Sequence, residues 1–250
     1  MITPKEDQVI TSAFLTDIGK KRKINQDYVF ASDEPVGSFD NLYIVADGMG
    51  GHNAGDYASK YAVESVVREI RGSVEQKPFR IMGKAIRNAN ELIRERARED
   101  ADLYGMGTTI VCCSVHGRTL QVANVGDSRL YLFSHTLRQI TRDHSLVEEM
   151  VRMGGMTKEA ARLHPDKNII TRAVGARDSV EVDFFTEELD PGDLVLLCSD
   201  GLTNMVTDDE IAAILGEDLG IIEKARKLVE KANENGGRDN IAVVIIDADV

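Results

Sequence analysis

The chain has 250 residues, 42% of them apolar, and carries 42 acidic against 30 basic side chains, a formal charge of −12. That length suits one large domain or two small ones with a substantial core, and the acidic balance disfavours a nucleic-acid partner held by a broad basic surface. Tryptophan is absent and aromatics reach only 5%, so a base-stacking platform for single strands is not expected.

In chain order, strands are expected near 9–15, 27–31 and 42–46. A helix over 55–70 follows, with Ala58, Tyr61, Ala62, Val66 and Ile70 on one face. A second, over 78–99, carries Ile81, Ala85, Ala89, Leu92, Ile93 and Ala97 at helical spacing. The middle is β-rich: 108–115, 119–125 and 129–133, joined by short links containing His116-Gly117 and Gly126-Asp127, as in hairpins. A polar, Met-rich region, 145–168, reads as short helices broken at Gly154-Gly155. Strands return at 180–185 and 194–198. Thr207 to Glu210 is a capping box opening a helix, and a last helix, 221–233, precedes a final strand, 241–246. The elements do not alternate β with α, so sheet-on-sheet with helices outside fits better than a doubly wound parallel sheet.

The three cysteines, Cys112, Cys113 and Cys198, sit inside apolar runs without a Cys-x-x-Cys spacing, as small hydrophobes do. No basic-then-apolar leader pattern is present, and no apolar run reaches about 18 residues, the usual length of a membrane span. The expected setting is therefore the cytoplasm, without membrane insertion.

Two apolar runs, Leu42 to Gly51 and Asp193 to Leu202, stop at Asp-Gly. This plants Asp47 and Asp200 at strand ends. Asp27 and Asp239 occupy similar turn settings, in Asn25-Gln26-Asp27 and Gly237-Arg238-Asp239-Asn240. Four such carboxylates without a matching His or Cys set point to hard divalent cations bound through oxygen. Too few to cage two ions completely, they can hold a pair and leave water bound, which suits phosphate-ester hydrolysis. Arg22, within Lys20-Lys21-Arg22-Lys23, could fork onto phosphate, though a basic run is ordinarily a solvated turn.

Thr16-Asp17-Ile18-Gly19, Arg22 and Asn25-Gln26-Asp27 resemble the opening motif of the metal-dependent type-2C protein Ser/Thr phosphatases. Val45 to His52 is similar to the family's second motif in its bacterial form. Gly107-Thr108-Thr109, Asn124 to Arg129, Thr141 to Ser145, Ser199 to Leu202 and Gly237 to Asn240 continue the match in the family's order over nearly the whole chain. The resemblance implies an α+β fold, a four-layer α-β-β-α sandwich, forming one catalytic domain over 1–250 with a flap at 145–168. It implies hydrolysis of phosphoserine and phosphothreonine by a hydroxide bridging two Mn²⁺ or Mg²⁺ ions, with no phosphoenzyme. By the same resemblance Asp47 bridges both ions, the Gly48 carbonyl binds one, and Asp200 and Asp239 complete the second. Asp27 then acts mostly through metal-bound water, and Arg22 holds the substrate phosphate. A third ion would sit at Asp143, where Asn204 stands in place of a frequent carboxylate. Phosphoproteins, a cognate Ser/Thr kinase and its substrates are the implied partners of a monomeric enzyme.

His52 is either a general acid for the leaving alkoxide or an ordinary residue of a Gly-rich loop. Asp127-Ser128-Arg129 reads as a hairpin-stabilising network, since no His stands at triad spacing, and His144 reads as structural. A catalytically dead regulatory domain and a phosphatase dedicated to an anti-sigma-type switch protein are the rival functions. A calcium module lacks the Asp-rich loop it would need.

Overall fold

A computed structural model describes residues 9–51 and 54–249. Two antiparallel sheets stack face to face. One has the order β1 (Val9–Asp17), β11 (Ile241–Asp249), β10 (Leu194–Cys198), β7 (Arg129–Ser134), β8 (Thr136–Gln139). The other runs β2 (Asp27–Ser32), β3 (Leu42–Met49), β5 (Ile110–His116), β6 (Thr119–Val125), β9 (Asp183–Glu188), with the short β4 (Gly107–Thr108) beside β3.

The continuous apolar runs are explained by burial on both faces of each central strand. On β3, Tyr43 and Val45 pack between the sheets, while Leu42, Ile44 and Ala46 face helices α1 (Ala54–Gly72) and α2 (Pro78–Glu99). On β11, Ala242, Val244 and Ile246 join the inter-sheet core, while Ile241, Val243 and Ile245 meet α6 (Asp208–Leu215) and α7 (Ile221–Glu234). Alternate side chains of one strand thus enter different cores, and three apolar clusters define four layers. Such runs are usual for parallel strands under helices; here the second cover is another sheet. The expected α+β, four-layer sandwich is the fold observed.

Local chemistry sets the element ends. Pro78 opens α2, where its missing N–H costs no helical bond. Thr207 and Glu210 cap α6 reciprocally. The expected strand over 108–115 is divided at Thr109, because the Asp47 carbonyl draws in the Thr109 N–H (2.9 Å) and the Thr108 hydroxyl (2.9 Å). The strand expected at 180–185 begins only at Asp183, where pairing with Asn124 starts; Val180 packs into the helix-side core instead. Edge strand β8 and the one-turn helix α5 (Asp200–Thr203) carry too little pattern to be read from sequence.

The region 145–168 forms α3 (Leu146–Arg152) and α4 (Lys158–Leu163), capped by the Ser145 and Thr157 hydroxyls. Its base is pinned to the body: Leu146 N–H donates to Ile169 C=O (2.9 Å) and Thr171 N–H to His144 C=O (2.7 Å).

Candidate metal centre

Strand pairing assembles the acids at one edge of the sandwich. In the β2–β3 ladder Asp27 stands opposite Asp47. Asp200 follows β10 and Asp239 precedes β11, which are neighbours in the other sheet. Arg22, Asp47, Gly48, Asp127, Asp200 and Asp239 line a cavity of about 240 Å³. Asp27 lies behind it, buried, with one carboxylate oxygen accepting from the Ser199 hydroxyl (2.7 Å).

Glycines allow this closeness. A Cβ on Gly48 would lie 1.9 Å from the Gly55 carbonyl, and one on Gly201 would lie 1.8 Å from the Asn240 carbonyl. The Gly48 N–H donates to Gln26 C=O (3.0 Å), so the turn after β3 is stitched to the entry of β2.

The Arg22 loop is docked rather than loose. Gly19, at φ +76°, leaves no room for a side chain beneath Asp239, and Lys20 N–H donates to Gly237 C=O (2.7 Å). Buried Asn240 closes the loop from below: its amide donates to the carbonyls of Ile18 and Ile24 (3.0 Å each), and its oxygen accepts the Gln26 N–H (2.9 Å). Arg22 then reaches the Asp239 carboxylate at 2.7 Å, which raises its own basicity.

The electrostatics show what the cavity is suited to hold. Burial, then the Asp27 and Asp200 charges, pushes the Asp47 carboxyl well up. Burial raises Asp27 to about 8 despite the Ser199 bond, and burial with Asp239 raises Asp200 to about 6. Asp127 is raised by burial and by Asp200. Like charges this close cannot all ionise without a counter-charge. Asp27 Oδ1 and Asp200 Oδ1 are buried without a hydrogen-bond partner among the described residues.

No three His, Cys, Asp or Glu side chains among the described residues are grouped so as to cage a single ion. The acids line a shared cavity instead, which suits ions that keep several waters. Partnerless carboxylate oxygens, repelling charges and an all-oxygen donor set fit Mn²⁺ or Mg²⁺.

Asp143 is placed apart. Its carboxylate accepts from Arg129 Nη2 (2.7 Å) and Gln139 Nε2 (2.8 Å), and it lines a second cavity of about 520 Å³. Asn204 Nδ2 donates to Asp200 Oδ2 (2.9 Å). His52 lies outside the described residues.

Two residues escaped the sequence reading. Asp127 faces both cavities rather than serving its hairpin. The rest of that network exists without it: Ser128 Oγ meets Thr109 Oγ1 (2.7 Å), and Arg129 holds Asp143. The signal was available, since Val125-Gly126-Asp127 is a third strand end closing on Gly and Asp. Asn240 gave no such signal, because its role depends on loops 214 and more residues distant. His144 is structural as expected, buried and accepting the Gly126 N–H at Nδ1 (3.0 Å).

The family model described as Protein phosphatase 2C matches residues 19–240. The chain is 43% identical to the serine/threonine phosphatase stp of Listeria monocytogenes, over 95% of each sequence. Among solved structures it superposes on Staphylococcus aureus serine/threonine phosphatase Stp1 with a TM-score of 0.91 at 34% identity, covering 97% of this chain and 96% of that one. The catalytic domain of the serine/threonine phosphatase PstP in complex with two manganese ions matches with a TM-score of 0.85 at 34% identity, covering 96% and 98%. The described fold, the acid-lined cavity and these matches agree: the chain belongs to the protein phosphatase 2C family.

Proposed function

We infer that this chain is a metal-dependent protein serine/threonine phosphatase. The observation that carries the reading is the set of buried, mutually repelling carboxylates with two partnerless oxygens, beside a half-exposed Arg22. We assign Asp47, the Gly48 carbonyl, Asp200 and Asp239 to the metal pair, with Asp27 behind them. Asp127 supports a third position with Asp200 better than Asp143 does, because Asp143 is already neutralised by Arg129. When bound, Mn²⁺ or Mg²⁺ acidifies a coordinated water and neutralises charge on the phosphoryl oxygens.

The protein's own residues do the rest. Arg22 gives one N–H to Asp239 and turns its remaining donors to the substrate phosphate, so a metal-side carboxylate orients the phosphate clamp. Asn240 fixes the loop that carries it. His52 is proposed to give the leaving Ser or Thr oxygen its proton.

Phosphoproteins are the substrates, and we propose a cognate Ser/Thr kinase and its targets among them. The chain is further proposed to act as a monomeric, single catalytic domain in the cytoplasm. No helix among the described residues is long and apolar enough to cross a membrane. The test is phosphate release from Ser, Thr and Tyr phosphopeptides with Mn²⁺, with Mg²⁺ and with chelator. Activity on the Ser and Thr peptides that stops on chelation and returns with metal is expected; undiminished activity in excess chelator would overturn the reading.

A further inference from the structure

Gly107-Thr108-Thr109 supplies no carboxylate, yet it lies across the end of β3 where Asp47 and Gly48 stand. Thr109 grips the backbone of Asp47 at both poles: its N–H donates to the Asp47 carbonyl (2.9 Å), and its hydroxyl oxygen accepts the Asp47 N–H (2.9 Å). The Gly48 N–H donates in turn to Gln26 C=O (3.0 Å). The peptide plane between Asp47 and Gly48 therefore has both its C=O and its N–H engaged, which fixes the metal donors on either side of it. Thr108 anchors this clamp to the body by exchanging both backbone bonds with Val174 (3.0 and 2.9 Å).

The Thr109 hydroxyl has a second partner. Its oxygen lies 2.7 Å from Ser128 Oγ, and both residues are buried. Ser128 directly follows Asp127. Gly126, which precedes Asp127, has a φ of +107° and lays the turn flat on Thr109: a Cβ there would lie 2.6 Å from Thr109 Cβ and Cγ2. From behind, the Gly126 N–H donates to His144 Nδ1 (3.0 Å), and its C=O accepts the His144 N–H (3.0 Å). The turn bearing Asp127 is thus clasped between His144 and Thr109. Threonine suits the place. Its methyl meets the turn, its hydroxyl meets Asp47 and Ser128, and branching at Cβ restricts χ1 so that both contacts hold together.

Carboxylates that repel one another spread apart unless their backbones are held, and groups that orient metal ligands are worth much of the metal's affinity. We propose that Thr109 is a positioning residue of the metal centre: its hydroxyl, shared between the Asp47 N–H and Ser128, sets the spacing of the paired-metal donors Asp47 and Gly48 from the third-position donor Asp127. The proposal rests on the metal-dependent phosphatase reading and deepens it.

Mn²⁺ binding to the metal-free full chain, followed by loss of the free ion's electron paramagnetic resonance signal, tests this without turnover. Thr109→Val keeps the shape and removes the oxygen; the Kd for Mn²⁺ should rise by about tenfold or more. Thr109→Ser keeps the oxygen and should recover most of the affinity. Ser128→Ala should weaken binding less, by about threefold, the effect of one neutral hydrogen bond, because the Asp47 N–H keeps its acceptor. Added to Thr109→Val it should cause little further loss, since the two hydroxyls act as a unit. Thr207→Ala, destabilised at the cap of α6, should bind Mn²⁺ as the wild type does, which separates affinity from stability. An unchanged Kd in folded Thr109→Val, equal losses in the Val and Ser variants, or fully additive losses in the double variant would overturn the positioning role. If Thr109→Val does not fold, an unchanged Kd in Ser128→Ala overturns it. A wild-type chain that fails to bind Mn²⁺ would instead overturn the metal-centre reading itself.

Discussion

Replacing Asp200 by Asn should make the metal-free protein more stable while destroying its activity. Burial and the neighbouring Asp239 raise Asp200 from 3.8 to about 6. A carboxyl raised in the folded state ionises more easily when unfolded, so its ionisation favours unfolding. The penalty is absent below pH 3.8, grows as pH rises through about 6, and is complete above that. About two pK units correspond to roughly 3 kcal/mol at pH 8, an upper value because the neighbouring acids share protons. For a domain of this size that raises Tm by about 5–10 °C. The amide can keep the bond from Asn204, and Asp47 lies within hydrogen-bonding reach. Thermal unfolding in chelator at pH 4 and pH 8 reads the effect: the two proteins should melt together at the lower pH and diverge at the higher. Saturating Mn²⁺ should reverse the order, since a ligand at about 1,000 times its Kd adds about 4.1 kcal/mol to the protein that binds it, more than the penalty it offsets. If the metal-free variant melts below the wild type at pH 8, or the folded variant keeps full turnover with Mn²⁺, the assignment of Asp200 fails.

Arg22→Ala should raise KM for phosphopeptides by about tenfold or more, as loss of a charged phosphate contact does, with little change in Tm because the pair with Asp239 is half exposed; steady-state kinetics decide this. Asn240→Ala removes the support of three backbone groups and should cost about 2–3 kcal/mol in urea unfolding. It should raise KM as well, because the Arg22 loop loosens. Arg129→Met leaves Asp143 buried without its cationic partner and should destabilise by about 3–5 kcal/mol, read by urea unfolding. Thr207→Ala, at the capping box of α6, should cost about 1 kcal/mol and leave kcat/KM unchanged, which separates stability from activity.

Much of the fold was legible because strand burial and helix periodicity are local. The limits of α2, β6 and β10 follow from proline, apolar runs and turn residues that each segment carries itself. Elements that misled are those governed by partners: the Thr109 break answers to the Asp47 carbonyl, and the start of β9 answers to Asn124.

The site divides in the same way. Asp47 and Asp200 announce themselves as acids after apolar runs, and the ordered motifs identify the family with no coordinates at all. Only the tertiary structure decided that Asp127 belongs to the cavity, that Asp143 is spent on Arg129, and that Asn240 anchors the loop carrying Arg22. A sequence displays residue type and near spacing. Whether a buried charge meets an arginine, another acid or nothing depends on chain segments brought together from far apart, and that choice is made by packing.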